Sequence, residues 1–316
     1  MKKQILILAI MIIGAGLYSC KKKYQIIPPP VPSSSIRDSL EFNFFDSIQY
    51  FTVNGLGGGD FVTNKGIVFT IPPYTFRGAA GDTILGDVNI DIVEILDPAN
   101  MVLMNKTTTS DNEVLVTGGQ FRINFTYNSS QVYISSDTVV YVGVPTDISS
   151  PNMKLFEGYE DATGFVNWKP VLDTLGQPVA TPILTETVNG LFQDYYSFAL
   201  DSLNSNWINC DYFYNSLGSK TQLSVTLGDK HDNSNTLFFI HFNNFQSVMA
   251  GYFDGQKFVT PGTVPVGANV SLLLFSEIDE EYAIKKIDMV VSNGYSLTTT
   301  LDPTTYKDLL NTIRNL

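Results

Sequence analysis

Few side chains in this sequence have the types and spacing that catalysis or metal binding requires. Asp229, His231 and Asp232 lie in one short polar stretch before an apolar run, and His241 ends that run. An imidazole beside carboxylates can act in acid–base chemistry or bind a metal, but either role needs partners from elsewhere in the chain. The spacing is typical of a polar hairpin turn. We therefore predict no catalytic residue, no metal site and no cofactor.

Two further acidic groups have alternative interpretations. Asp87, Asn89 and Asp91 alternate along a predicted strand and therefore share one face, where they could bind calcium or simply be solvated. We favour a solvated face. A second group of carboxylates, which would change pKa only if buried together, is expected in a solvated turn between two strands. It comprises Glu277, Asp279, Glu280 and Glu281.

The composition excludes several classes of protein. The chain has 316 residues, of which 44% are hydrophobic and 16% charged, so it must bury a core and is neither disordered nor collagen-like. A formal net charge of −12 would repel a phosphate backbone, and we expect no nucleic-acid partner. Two cysteines and two histidines leave little material for a zinc cluster or a disulfide scaffold.

The amino terminus has the order of features found in export signals. Two lysines precede an apolar run and small residues, and the run is too short to span a bilayer comfortably. Residues 1–19 are therefore predicted to be a signal peptide. The next residue is Cys20, and four prolines within residues 28–32 followed by three serines oppose a helix or a strand. Residues 20–49 are thus predicted to form an extended tether.

The sequence Leu17-Tyr18-Ser19-Cys20 resembles a bacterial lipobox, and the lysines after it resemble the start of Bacteroidetes lipoproteins. The resemblance implies that Cys20 is acylated and anchors the protein in the outer membrane. The acidic run typical of surface export is absent, which favours the periplasmic face. Cys210 then has no disulfide partner, and we expect it to be buried as a small hydrophobic residue.

Alternating apolar residues and frequent turn signals predict a mainly β protein with two β-sandwich-like domains and a short C-terminal helix. The first domain is predicted over residues 50–147, a connecting segment over 148–190, and the second domain with the helix over 191–316. In the helix, Asp302 is the expected cap and Pro303 the first residue. The apolar positions Tyr306, Leu309, Leu310 and Ile313 are expected to pack onto the second domain.

The stretch from Phe51 to Phe76, with its glycine-started strand and Ile71-Pro72 turn, resembles the opening of ZU5-like β domains. Gly86 to Ile90 and Leu96 to Met101 resemble the next strand and turn of that group. Gly118 to Ile123 resembles a later strand. The resemblance covers residues 50–147 and implies a fold rather than an activity.

Aromatic residues and Asp-Ser/Thr triplets supply the remaining candidate sites. Trp207, Tyr212 and Tyr214 are predicted to form an exposed aromatic patch. Six triplets resemble the O-glycosylation acceptor of exported Bacteroidetes proteins, and strand-initiating turns are the alternative interpretation. We expect the acceptors to be modified in the following order, from most to least accessible: Ser39 and Ser47, then Thr83 and Thr174, then Thr138 and Ser202.

These observations favour a lipid-anchored envelope protein that acts as a non-catalytic structural or protein-interaction module. The expected partners are the membrane, through the anchor, and an envelope protein or glycan. A carbohydrate-binding or adhesive module is the alternative function and would require an exposed aromatic platform. A hydrolase is a third interpretation, and it would require a cleft in which His231 or His241 meets carboxylates.

Overall fold

A computed structural model describes residues 35–161, 164–188, 191–201, 206–214 and 218–316. The fold is mainly β, with two packed β units and a short C-terminal helix, which confirms the predicted fold class. The predicted signal peptide, Cys20 and most of the predicted tether lie outside the described residues. Three helices are described: α1 (Ser35–Asp46), α2 (Pro98–Leu103) and α3 (Tyr306–Arg314).

The first unit is a sandwich of an eight-stranded and a five-stranded sheet. The larger sheet runs in the order β1-β5-β7-β15-β11-β12-β6, with β8 also on β7, and the smaller runs β13-β14-β10-β3-β2, while β4 pairs with β9. The strands are β1 (Gln49–Asn54), β2 (Gly59–Val62), β3 (Val68–Ile71), β4 (Phe76–Arg77), β5 (Asp87–Ile95), β6 (Thr109–Ser110), β7 (Glu113–Tyr127), β8 (Ser130–Gln131), β9 (Tyr133–Ile134), β10 (Val140–Thr146), β11 (Lys154–Glu160), β12 (Val166–Pro170), β13 (Ile183–Val188), β14 (Leu191–Leu200) and β15 (Trp207–Phe213).

The second unit contains a four-stranded sheet, β20-β21-β17-β25, and a five-stranded sheet, β19-β18-β23-β24-β26, with β16 paired to β22. Its strands are β16 (Lys220–Thr221), β17 (Ser224–Thr226), β18 (Thr236–Phe242), β19 (Val248–Ala250), β20 (Tyr252–Phe253), β21 (Phe258–Val259), β22 (Val264–Pro265), β23 (Asn269–Ile278), β24 (Glu281–Val290), β25 (Ser296–Thr298) and β26 (Asp302–Thr304).

A single hydrophobic cluster, which we call the seam, joins the two units. It combines side chains from both units with the inward faces of the helices. The seam includes Val93, Met101, Phe156, Trp168 and Trp207 from the first unit, Leu237, Phe239, Leu273 and Phe275 from the second, Ile36 and Leu40 from α1, and Leu309 and Ile313 from α3. Gly158 on β11 allows Trp168 and Trp207 to pack closely within the first unit's side of the seam, because a Cβ atom there would lie 2.8 Å from both.

The central strands of the second unit are buried on both faces. In β18, Leu237 and Phe239 point into the seam, whereas Phe238 and Ile240 point into the unit's own core. Strand β23 divides its side chains in the same way. A strand covered on both faces reads as a continuous apolar run rather than an alternating one, which explains the sequence of both segments.

The predicted division of the chain at residues 148–190 is wrong, because strand pairing assigns that segment to the first unit. Strand β11 pairs with β15, and β14 pairs with β10, so residues 154–213 complete the first sandwich. The predicted second domain therefore begins too early, by the length of β14 and β15. Periodicity identifies strands but does not indicate which strands pair.

Part of the predicted tether is a helix. Helix α1 buries Ile36 and Leu40 in the seam, and Phe44 packs against Trp207 with ring centroids 5.9 Å apart. These apolar residues recur every four positions, so they lie along one side of the helix. The folded body consequently includes residues 35–49, which were predicted to belong to the tether.

The C-terminal helix forms over the predicted apolar stripe but with a different cap. Thr305 is the N-cap, and its hydroxyl accepts a hydrogen bond from the Asp308 amide at 3.1 Å. Asp302 and Pro303, the predicted cap and first residue, belong to β26, which pairs with β24. The sheet pairing continues the strand past the position at which local sequence alone would start a helix.

Candidate binding site

A small surface pocket lies between two loops of the second unit. The cavity measures about 210 Å³. One loop follows β17 and the other joins β20 to β21, so the pocket lies at the end of the four-stranded sheet. Its lining residues are Leu227, Gly228, Asp229, His231, Phe253, Gly255, Gln256 and Phe258.

Hydrogen bonds fix the two loops relative to each other. The Asn233 side chain donates from Nδ2 to the Phe253 carbonyl at 3.1 Å and accepts at Oδ1 from the Phe253 amide at 2.7 Å. Gly255 has a φ of +100°, a conformation that glycine adopts without steric cost, and it forms the tip of the second loop. The pocket is therefore held in shape by the protein itself.

The hydrogen bonds around His231 determine which ring nitrogen carries the proton. The Asn235 amide is oriented because its Nδ2 donates to the Lys230 carbonyl at 2.9 Å and its Oδ1 accepts from the Asp232 amide at 3.2 Å. The Thr236 hydroxyl donates its one proton to Asn235 Oδ1 at 2.8 Å. It must therefore accept from His231 Nδ1, which lies 3.0 Å away. The neutral imidazole carries its proton on Nδ1.

The other nitrogen, Nε2, is consequently a lone-pair acceptor, with no hydrogen-bond partner among the residues the structure describes. Burial lowers the pKa of His231, the nearby Lys230 charge lowers it further, and Asp232 partly opposes both. These effects keep the ring neutral at pH 7. His231, which lines the pocket, is therefore a hydrogen-bond acceptor at Nε2 rather than a cation.

His231 and His241 do not meet in one site. His241 lies on β18 opposite Ser271, away from the pocket, and burial is the largest cause of its lowered pKa. Within the described ranges, neither imidazole hydrogen-bonds to a carboxylate, and His231 bonds instead to the Thr236 hydroxyl. In the same ranges, no three His, Cys, Asp or Glu side chains are grouped to hold a metal ion.

The predicted exposed aromatic patch does not assemble. Trp207 is only 1% exposed and donates from Nε1 to Glu160 Oε2 at 2.9 Å, because β15 is a central strand covered by the seam. Tyr212 packs partly buried against the first unit's core, and Tyr214 stacks on Phe245 at 4.4 Å in the second unit's core. The prediction of an exposed Trp207 is wrong, and the two tyrosines serve different cores.

The acidic groups separate into a surface row and one buried exception. Asp87 and Asn89 are exposed on the outer face of β5, and Asp87 accepts a bond from Asn54 at 2.8 Å. Asp279 and Glu280 form the exposed two-residue turn between β23 and β24, with φ angles of +54° and +64°. Glu277 is buried, contrary to expectation, because helix α1 packs against β23, and Ser39 on α1 donates a hydrogen bond to the Glu277 carboxylate.

The structure changes the predicted accessibility of the glycosylation candidates, because Ser39 and Ser47 are half-buried. Ser39 Oγ donates to Glu277 at 3.2 Å, and Ser47 Oγ donates to the Asn43 carbonyl at 2.7 Å, so both are occupied within the fold. Thr83 and Thr174 are exposed on loops, and Thr138 is half-buried. Ser202 lies outside the described residues. The predicted order of accessibility was wrong because Ser39, which was placed in an extended tether, lies in helix α1, and Ser47 directly follows that helix.

Cys210 is completely buried, as expected, and burial is the main cause of its raised pKa. Sequence reasoning singled out Asp229 and His231 but missed the residues opposite them. Phe253 and Gln256 come from a loop more than twenty residues later. The available signal was the Asp254-Gly255 pair, which is typical of a hairpin turn between short apolar segments.

Comparisons with known proteins assign this chain to no family. No protein-family profile matches it, and no curated protein matches it. Among solved structures, the chain is similar to the Bacillus anthracis TIE protein, with 11% identity and a TM-score of 0.20. The alignment covers 82% of this chain and 34% of that protein, so the chain spans about a third of its length. A TM-score this low supports no argument about function.

Proposed function

We propose that this protein is a non-catalytic binding module of the bacterial envelope, held near a membrane by a lipid on Cys20. The observation that supports binding rather than catalysis is the bonding of His231. Its Nδ1 bonds to a hydroxyl that is itself tied to Asn235, an arrangement that fixes the ring. A general base would be expected to bond to a carboxylate that stabilises the imidazolium.

The anchoring part of the proposal is supported by the lipobox-like sequence. None of the helices in the described part of the chain is long and apolar enough to cross a bilayer. Fifteen positions separate Cys20 from Ser35, where α1 begins. An acyl group contributes about 0.8 kcal/mol per buried methylene, and more than one chain is needed for stable attachment. We propose attachment to the outer membrane, facing the periplasm, and a Bacteroidetes-type lipoprotein with a ZU5-like first unit.

Metabolic labelling with palmitate tests the anchor. Cys20→Ala should abolish labelling and leave an unprocessed precursor, because the acylated thiol is then absent. Cys210→Ala is the matched control, since it removes the chain's other cysteine, which is completely buried. Labelling that persists in Cys20→Ala, or is lost only in Cys210→Ala, would refute the anchor.

A further inference from the structure

We propose that the pocket at His231 binds a single neutral sugar residue of a glycan, with His231 Nε2 and the Asp229 carboxylate accepting hydrogen bonds from its hydroxyl groups. The inference rests on the proposed binding function and names the ligand class. It follows from the size of the pocket, from the kind of polar groups that line it, and from the charges around it.

The size of the cavity limits the ligand. At about 210 Å³, it is smaller than the pockets that enclose drug-sized molecules, which run from about 300 to 1,000 Å³. A ligand group of about one sugar ring fits a cavity of this size. Asp229 and Gln256 are both exposed at the loop tips, so the pocket meets the surface where the rest of a larger ligand can extend.

The polar lining is rich in acceptors. His231 Nε2 is a lone-pair acceptor, Asp229 is a carboxylate, and Gln256 adds an amide that both accepts and donates. A matching ligand must therefore offer several donors on one small frame, which a ring of hydroxyl groups does. The half-buried Phe253, whose ring centroid lies 5.2 Å from that of Phe258, supplies an apolar wall for the C–H face of such a ring.

The charges disfavour other small ligands. A phosphate, sulfate or carboxylate would face the Asp229 carboxylate and an imidazole acceptor, in a protein whose formal net charge is −12. A cationic ligand at His231 Nε2 would be repelled by the charge of Lys230, which lies outside the lining but acts on the same imidazole and, after burial, helps to lower the pKa of His231. A neutral ligand avoids both repulsions.

The test uses the full chain in detergent and saturation-transfer NMR with four methyl glycosides: glucoside, galactoside, mannoside and N-acetylglucosaminide. At about 5 mM ligand, at least one should receive saturation, as expected for a dissociation constant near the millimolar range. Gln256→Ala and Asp229→Asn change exposed side chains and should each weaken that binding by about 2- to 10-fold. Gln177→Ala and Asp60→Asn, matched changes at exposed positions in the first unit, should leave it unchanged.

Three results would overturn the inference. These are no saturation of any of the four glycosides, equal saturation in wild type and both pocket variants, or loss of binding on adding EDTA, which would indicate a metal-bridged ligand. The same spectra separate this inference from the proposed function. Release of methanol over time would reveal hydrolysis and refute the non-catalytic role while leaving sugar binding intact. The anchor is tested independently by labelling at Cys20.

Discussion

At the scale of single residues, the fold strongly alters the acid–base chemistry of Asp211. It is completely buried on β15, and its Oδ2 accepts a bond from Asn209 at 2.7 Å. Within the described part of the chain, its Oδ1 has no hydrogen-bond partner. Burial raises the pKa of Asp211 well above its usual range. The folded protein therefore favours the protonated carboxyl.

This raised pKa predicts a stability that falls as pH rises. The folded state holds a proton that the unfolded state releases above about pH 4, so the free energy of unfolding decreases from there through the folded pKa. Asp211→Asn should remove this dependence, because a side-chain amide does not titrate in this pH range. Urea unfolding at pH 5 and pH 7 measures it, with Asp60→Asn as an exposed control. An Asp211→Asn variant whose free energy of unfolding falls between pH 5 and pH 7 as much as that of the wild type would contradict the prediction.

The second prediction at this scale concerns glycosylation in the native host. A glycan is bulky and its acceptor must be reachable by solvent, so the exposed Thr83 and Thr174 should be modified before the half-buried Ser39, Ser47 and Thr138 in folded protein. Glycopeptide mass analysis of all these positions measures the order. Glycans confined to Ser39 and Ser47 would show that modification precedes folding, and unmodified peptides throughout would refute glycosylation.

At the scale of elements, the cap of α3 predicts a local stability effect. Thr305→Ala removes the hydroxyl that accepts from the Asp308 amide and should lower the free energy of unfolding by about 1 kcal/mol. Asp302→Ala is the informative comparison, because the Asp302 side chain forms an exposed ion pair with Lys285 at 3.0 Å, and its removal should cost about 0.5 kcal/mol or less. Thermal unfolding of both variants measures the difference, and a larger loss at Asp302 would contradict the assigned cap.

The elements also show what sequence patterns can and cannot predict. Strand segments such as Ile67–Ile71 and Phe121–Phe125 were predictable because alternation reflects a half-buried face. The α3 stripe was predictable for the same reason, with Leu309 and Ile313 buried. Helix α1 was not predicted, because the proline-rich segment just before it is typical of an extended tether. Ile36 and Leu40 nevertheless have the spacing of one face of a helix.

The sequence patterns could not predict which strands pair when those strands are far apart in the chain. Strands β7 and β15 pair although about eighty residues separate them, and nothing local marks Trp207 as the partner of Arg122. The pocket has the same origin, since Asp229 and His231 are conspicuous alone but acquire a wall only when Phe253 folds beside them. Local composition predicts which side chains are exposed. A binding pocket, by contrast, depends on which segments distant in sequence lie next to each other in the fold.

At the scale of the whole molecule, the seam predicts that the two units unfold together. Both tryptophans of the chain lie in the first unit's part of the seam, and Leu273 contributes to the seam from the second. Leu273→Ala should lower the free energy of unfolding by about 2 to 5 kcal/mol and shift the transition that tryptophan fluorescence reports. Leu175→Ala, at a leucine that is 82% exposed, should not shift it. An unchanged tryptophan transition in Leu273→Ala would show independent units.

The contact between α1 and α3 constrains how the fold can be completed during synthesis. The Tyr306 hydroxyl donates to the Ser39 carbonyl at 3.0 Å across 267 positions, and both helices supply side chains to the seam. A chain that emerges amino terminus first can form the first sandwich early. The apolar side chains that this sandwich contributes to the seam then stay exposed until the final residues have been synthesised. Closure is therefore a late event, and until then the nascent protein carries an adhesive apolar surface that a holding chaperone would need to shield.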